Sequence, residues 1–137
     1  MTKGMKFDDG KLPYHLVDDD ADAEMVAVLA FGAVKYEPGS WEHVENARDR
    51  YYAALRRHMR ASRKGELLDP EHGLMTLASV ACSAHFLLAL ELKAHPELAA
   101  SLPERLKGSL EKARALRAER LAKERPTLAK TRGRRKK

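Results

Sequence analysis

Apolar residues recur at intervals of three and four along most of this chain, and this helical spacing constrains the fold more than any other feature. No stretch alternates apolar with polar residues, as a half-buried strand would. Val, Ile and Thr, which favour strands, are rare. We therefore expect an all-α fold, and the 137 residues suit one hydrophobic core rather than two.

Four helices are predicted, over residues 18–36, 44–64, 69–94 and 103–123. An Asp run opens the first helix, where carboxylates cap free N–H groups, and Gly65 ends the second. The third begins with Asp69-Pro70-Glu71, which combines a cap, a proline at the first position and an acidic first turn. Because few of its positions are polar, we expect this helix to be central. The predicted organisation is a helical domain over 1–102, a charged helix over 103–124 and a disordered basic tail over 125–137.

The charges divide unevenly between the body of the chain and its C-terminal part. Residues 104–137 carry 14 Lys or Arg against 4 Asp or Glu, whereas residues 1–103 carry 12 against 16. The acidic body and the basic end therefore need separate explanations. A single cysteine excludes an internal disulfide framework. The two longest apolar stretches, residues 23–34 and 74–90, are interrupted by polar residues, so neither is expected to span a membrane. We expect a soluble, cytoplasmic protein.

Two groups of carboxylates are candidates for chemistry. Glu24 lies inside an apolar stretch of the first helix, where it either faces solvent at the edge of the apolar stripe or holds a positive group. Glu66, Asp69 and Glu71 place three carboxylates within six residues. Oxygen ligands of this kind are what Mg²⁺ prefers, although Asp69 and Glu71 are equally good residues for a helix start. Both interpretations stay open at this point.

Cationic and aromatic residues accompany these carboxylates. Lys and Arg beside a carboxylate–metal centre are the expected clamp for a polyphosphate. His58 lies on the apolar face of the second helix, where it is either a hydrogen-bonded core residue or a ligand-binding one. Tyr36 and Trp41 flank the turn between the first two helices, and each is either a stacking surface for a base or part of the core. The clustered cations of the body are Lys6, Lys11, Lys35, Arg50, Arg56 and Arg57.

Four segments, taken in order, resemble a known family. They are KFDDGK (6–11), AEMVAVLAFGAVKYEPGSW (23–41), RYYAALRRHMRA (50–61) and GELLDPEHGL followed by an Ala-rich helix ending HFLLALE (65–91). In this order and spacing they resemble the phage-encoded dATP/dGTP diphosphohydrolases. That family is related to the all-α MazG-like nucleoside triphosphate pyrophosphohydrolases and includes the MazZ-type enzymes. The chain departs from the family pattern in having His72 where the family often has Ser before Gly73.

The resemblance implies a MazG-like helical bundle that forms a homo-oligomer, a dimer or a tetramer, in the cytoplasm of a phage host. The implied reaction converts a purine dNTP, dGTP or dATP, into dNMP and pyrophosphate, with Mg²⁺ as the cofactor and Mn²⁺ as a substitute. The implied catalytic residues are Glu24 and Asp69, and Glu24→Gln is predicted to fold but lose turnover. The implied metal ligands are Glu24, Glu66, Asp69 and Glu71. The implied substrate-binding residues are Lys6, Lys11, Lys35, Tyr36, Trp41, Arg50, Arg57 and His58.

Two other functions compete with this one. The basic C-terminal end, which finishes RGRRKK, is typical of a weak nucleic-acid-binding segment, although it contains no aromatic residue or recognition motif. An apolar third helix also fits a structural module that only oligomerises. A module of that kind gives no reason for the clustered Glu66, Asp69 and Glu71 beside Lys and Arg.

Overall fold

A computed structural model of the chain describes residues 3–6, 8 and 10–134, with residues 126–134 described by their backbone alone. Within that part the regular elements are all helical, apart from an isolated bridge between Leu68 and Met75, so the all-α prediction is confirmed. Two short 3-10 segments cover Tyr14–Leu16 and Ser40–His43. The α-helices are α1 (Asp19–Lys35), α2 (Ala47–Arg63), α3 (Thr76–Ala94), α4 (Pro96–Ala100) and α5 (Leu102–Arg134).

The first two helices follow their local capping signals. Asp18 caps α1, because its carboxylate accepts the N–H of Ala21 at 2.9 Å. Helix α2 begins three residues later than predicted, at Ala47, because the preceding segment forms a 3-10 turn and Asn46 takes a left-handed conformation (φ 51°). It ends just before Gly65, whose φ of 94° suits the residue that follows a helix. The predicted end of α2 is therefore confirmed.

The predicted start of the third helix at Asp69 is wrong, since α3 begins at Thr76. Asp69 does behave as a cap, because its carboxylate accepts the N–H of Glu71 at 2.8 Å. Gly73, with φ of 71°, then turns the chain out of the helical path. Backbone bonds close the loop, from Asp69 N–H to Leu74 O and from Thr76 N–H to Leu67 O, each 2.8 Å. We call residues 66–75 the acidic turn.

Helix α3 is the centre of the compact unit formed by residues 1–96, as predicted. It packs against α1 and α2, and small side chains on α3 permit this close approach. By length and composition alone α3 is apolar enough to cross a membrane, which is weak evidence because the core helix of a soluble protein meets the same criterion. The buried residues of α3 are Thr76, Ala78, Ser79, Cys82 and Ser83.

Residues 97–137 form a second unit. Arg105 ties its first turns together, because its guanidinium donates to Leu98 O and, at 3.2 Å, to Ser101 Oγ. Helix α5 keeps its described side chains largely exposed. Its backbone continues to Arg134, past residue 125, where a disordered tail was predicted to begin. Ala, Leu, Lys, Arg and Glu, which favour helix, make up most of α5 up to Arg125. The part of the helix beyond residue 125 contains Pro126 and Gly133, so helix propensity does not explain it. Side chains beyond 125 lie outside the described residues, and the role of the tail stays a prediction.

Candidate active site

An open cleft of about 890 Å³ lies between α1, the Ser40–His43 segment, α2, α3 and the acidic turn. This volume is in the range of sites that hold a small-molecule ligand. One part of the lining is apolar and includes Val28, Leu29, Phe31 and Phe86. The other part brings ionisable side chains from three elements to the same space: Lys35, Arg50, Arg57, His58, Asp69, Glu71 and His72.

The cations enter the cleft from the C-terminal end of α1 and from one face of α2. Lys35 forms an ion pair with Glu71 of the acidic turn. The hydrogen bond that Lys35 donates to Glu71 raises the pKa of the Lys35 ammonium, which stays charged. Arg50 and Arg57 are seven residues apart on α2, so they share a face two turns apart. The cleft therefore combines three cationic residues with three acidic ones, Glu37, Asp69 and Glu71.

The acidic turn directs Asp69 into the cleft. Its Oδ1 accepts the backbone N–H groups of Glu71, at 2.8 Å, and of His72, at 3.4 Å. Its Oδ2 lies 3.9 Å from His58 Nδ1, and 13% of the Asp69 side chain is exposed. Burial lowers the pKa of His58, while the nearby Asp69 opposes that shift. His58 is consequently neutral at pH 7, beside a carboxylate held by two backbone donors.

His72 is a cleft residue that the sequence analysis did not select. Its Nδ1 accepts the Leu74 N–H at 3.1 Å, and its Nε2 lies 3.1 Å from Ser79 Oγ. Its ring also meets Phe31 of α1 edge-on, with the centroids 5.3 Å apart. The spacing of the histidines along the chain gave no signal for this role. The only sequence signal was the departure from the family pattern at this position.

Trp41, for which two roles were open, is packed and also lines the cleft. Its ring stacks on Phe86 with centroids 4.5 Å apart and planes at 18°. The Lys93 ammonium lies 5.2 Å from the ring centroid. The hydroxyl of Tyr51 donates to the Trp41 carbonyl at 2.8 Å. Trp41 therefore belongs to an aromatic cluster at the edge of the core, and Tyr36, 66% exposed, is the more accessible aromatic residue of the cleft.

Four predicted site residues lie outside the lining of the cleft. Glu24 accepts the Met75 N–H at 3.4 Å, at the N-terminus of α3. Glu66 and Lys11 are exposed, and Lys6 faces Asp8 at 4.0 Å with its side chain 81% exposed. The structure thus separates Glu24 and Glu66 from Asp69 and Glu71, the two predicted carboxylates that line the cleft.

The predicted four-carboxylate metal site is not assembled among the described residues, where no three His, Cys, Asp or Glu side chains converge. Asp69 and Glu71 do line the cleft together. Magnesium is often bound by one or two carboxylates together with substrate phosphates. The donors present therefore fit a metal ion that arrives with a polyphosphate, and they do not form a cage made by this chain alone.

Comparison with known proteins agrees with the resemblance noted in the sequence. The family model described as dATP/dGTP diphosphohydrolase, N-terminal, matches residues 1–100. A curated dATP/dGTP diphosphohydrolase of Salmonella phage PMBT28 is 34% identical over 87 residues, which cover 64% of this chain. The match spans 29% of that relative's length, so less than a third of the phage protein is represented. No solved structure matches this chain.

Proposed function

The chain belongs to the dATP/dGTP diphosphohydrolase family, and on that premise we propose that it hydrolyses a purine deoxynucleoside triphosphate to dNMP and pyrophosphate. The observation that carries this proposal is the meeting of Lys35, Arg50 and Arg57 with Asp69 and Glu71 in one cleft. Cations bind the phosphates of such a substrate, and carboxylates hold a metal ion or a water molecule. The apolar part of the lining suits a purine ring.

The proposed reaction is attack of water on the α-phosphorus. A bond forms between the water oxygen and the α-phosphorus, and the bond from that phosphorus to the α–β bridging oxygen breaks. Pyrophosphate leaves with the electron pair, and the proton lost by water passes to a base. Asp69 is the proposed base or orienting group, because backbone N–H groups fix its Oδ1 and its Oδ2 faces the cleft at His58. The three cations stabilise the charge that develops on the leaving group.

Magnesium, with Mn²⁺ as a substitute, would be held by Asp69 and Glu71 together with the substrate phosphates, and it would neutralise charge on the polyphosphate. Lys35 forms an ion pair with Glu71. Phosphate binding by Lys35 would release the Glu71 carboxylate for the metal ion. Glu24 and Glu66 stay proposed ligands, but the proposal rests on Asp69 and Glu71, which line the cleft.

The decisive experiment is a product assay. The protein is incubated with Mg²⁺ and each of the four dNTPs, ATP and GTP, and the products are separated by ion-exchange chromatography. We expect dNMP and pyrophosphate from dGTP or dATP, and no reaction in excess EDTA. Nucleotides that stay intact with both Mg²⁺ and Mn²⁺ would contradict the proposal.

Two neighbouring arginines of α2 provide a matched test of the cleft. Arg57 lines the cleft, whereas Arg56 is exposed and lies outside the lining. A charge-assisted hydrogen bond contributes about 1.5–3 kcal/mol, so Arg57→Ala should raise KM by roughly ten- to a hundredfold. Arg56→Ala should leave KM unchanged. Equal effects of the two substitutions would place the phosphates elsewhere.

We also propose that the chain acts as a homo-oligomer. Among the described residues, Ala78 and Cys82 are the only buried apolar side chains. Leu77 and Leu88 are 55% and 60% exposed, and together with Ala81 and Ala84 they form an exposed apolar face of α3. A second copy would cover such a face. Light scattering after size-exclusion chromatography should give a dimer or a tetramer, and Leu77→Glu with Leu88→Glu should dissociate it. A wild-type monomer at high concentration would refute the proposal.

A further inference from the structure

The hydrogen bonds of the His72 ring favour one tautomer of the neutral imidazole. Its side chain is 7% exposed. A backbone N–H can only donate, so Nδ1, which accepts the Leu74 N–H at 3.1 Å, carries a lone pair. A neutral ring must then carry its proton on Nε2, which donates to Ser79 Oγ at 3.1 Å. Both ring nitrogens are therefore committed, and the neighbours select one tautomer.

This ring connects three elements of the fold. It belongs to the acidic turn and accepts the turn's own Leu74 N–H. Its other nitrogen reaches Ser79, a buried residue of α3 that is 5% exposed. Its edge-on contact with Phe31 reaches α1. Apart from this ring and the Lys35–Glu71 ion pair, the described contacts that hold the turn to α1 and α3 are the Met75 N–H bond to Glu24 and the backbone bonds of the turn.

The orientation of Asp69 depends on the same turn. Its Oδ1 is held by the N–H groups of Glu71 and of His72 itself. Without the contacts of the ring, the His72 backbone, which supplies one of these donors, would be held only by the backbone bonds of the turn. The carboxylates of Asp69 and Glu71 would then lose their fixed direction into the cleft.

From this geometry we propose that His72 is a positioning residue that locks the acidic turn and thereby aims Asp69 and Glu71 into the cleft. The catalytic consequence rests on the proposed hydrolase function, whereas the lock itself does not. Small errors in the position of a catalytic group are costly, since a shift of about 1 Å reduces turnover by roughly a hundredfold. Two of the three proposed phosphate-binding cations, Arg50 and Arg57, lie on α2, which the described hydrogen bonds and ring contact of His72 do not reach.

The first test concerns the lock without any substrate. Long-range ¹H–¹⁵N spectra of the full-length protein at about pH 8, where an ordinary imidazole is neutral, report the tautomer of each histidine. We expect His72 to show an unprotonated Nδ1 and a protonated Nε2. The opposite tautomer, or the averaged signal of a solvent-exposed ring, would overturn the proposal even if the protein is an active hydrolase.

The second test uses two buried serines of α3. Ser79→Ala removes the acceptor of the Nε2 proton, whereas Ser83→Ala removes a similarly buried hydroxyl one turn further along the helix. Hydrogen exchange of the Leu74 amide should accelerate in Ser79→Ala and stay at the wild-type rate in Ser83→Ala. Equal protection in all three proteins would show that the ring does not hold the turn.

The third test separates positioning from general destabilisation. His72→Phe keeps a ring against Phe31 but removes both nitrogens, and His72→Asn restores an acceptor near the position of Nδ1. We expect His72→Phe to lower kcat by about ten- to a hundredfold with little change in KM, and His72→Asn to recover part of kcat. A purely structural role would lower melting temperature and leave the kcat of the folded fraction unchanged, and that result would refute the positioning role. If the wild type hydrolyses no nucleotide, the proposed function fails while the first two tests still decide the lock.

Discussion

The contact between Trp41 and Phe86 gives a stability prediction that can be worked from the structure. The ring centroids are 4.5 Å apart and the planes are inclined by 18°, which is a close stacked arrangement. An aromatic pair of this kind contributes about 0.5–1.5 kcal/mol beyond the area that it buries. Because the separation is at the short end of the usual range, we expect a coupling of about 1 kcal/mol between the two side chains.

A double-mutant cycle measures this coupling. Trp41→Leu and Phe86→Leu each keep an apolar side chain but abolish the stack, and each should lower the free energy of unfolding by about 1–2 kcal/mol. Phe86→Leu should cost more, since Phe86 also meets Tyr51, with centroids 5.0 Å apart. The free energy of unfolding of the double variant should be about 1 kcal/mol higher than the value expected if the effects of the two substitutions were additive. Urea unfolding is followed by circular dichroism. Tryptophan fluorescence does not serve here, because Trp41 is the only tryptophan and Trp41→Leu removes it.

A control cycle pairs Phe86→Leu with Tyr52→Leu, since Tyr52 adjoins Tyr51 but is 48% exposed. That pair should show no coupling. A Trp41–Phe86 coupling below about 0.3 kcal/mol, which is the ordinary error of additivity, would refute the stacking argument. The same variants separate the two roles of Trp41. Stacking on a base is worth about 1–3 kcal/mol, so a rise in KM of less than about fivefold in Trp41→Leu would assign the ring to packing, as its contacts with Phe86 and Lys93 lead us to expect.

Three further predictions concern single features of the chain. Burial raises the pKa of the Cys82 thiol from 9.0 to about 11, so alkylation at neutral to mildly alkaline pH should be roughly a hundredfold slower than in urea-unfolded protein. The stabilisation linked to the neutral thiol is complete below pH 9 and is lost as the pH rises towards 11; this decline should be absent in Cys82→Ala, and its persistence there would assign it to other groups. Glu24→Gln keeps an acceptor for the Met75 N–H, so we expect it to fold with a nearly unchanged melting temperature and to lose turnover, and full activity would remove Glu24 from the site. Truncation after Leu102 removes most of α5 and the basic end, and it should abolish salt-dependent retention on DNA while hydrolysis survives; loss of hydrolysis in a folded truncated protein would give α5 a part in the site.

The helix boundaries that the sequence predicted correctly are those set by local chemistry. The Asp18 cap, the left-handed Gly65 and the end of α3 before Pro96 each depend on residues a few positions apart. The prediction that α3 starts at Asp69 was wrong because it also used only local residues. Asp69-Pro70-Glu71 forms the same first hydrogen bond in a turn as it would in a helix. Gly73 decides between the two, and its effect depends on Leu67 and Thr76 closing the loop across the turn.

Part of the candidate site was predicted from the sequence, because most of the residues that the family resemblance implied lie in one cleft. The structure brings together the predicted residues Lys35, Tyr36, Trp41, Arg50, Arg57, His58, Asp69 and Glu71. Their roles, and the magnesium dependence, stay predictions. The link from His72 to Ser79 was not predictable, because these residues meet only when a non-helical turn folds back onto α3.

The small buried side chains of α3 have a further consequence for how this enzyme family can change its substrate. Cys82 and Ser83 are buried in the core and also line the cleft. A single substitution at either position that adds one or two methyl groups makes the cleft smaller without altering any charged residue of its lining. On the proposed function, selection for a larger or smaller base can therefore act on these two positions while the charged residues of the cleft stay unchanged.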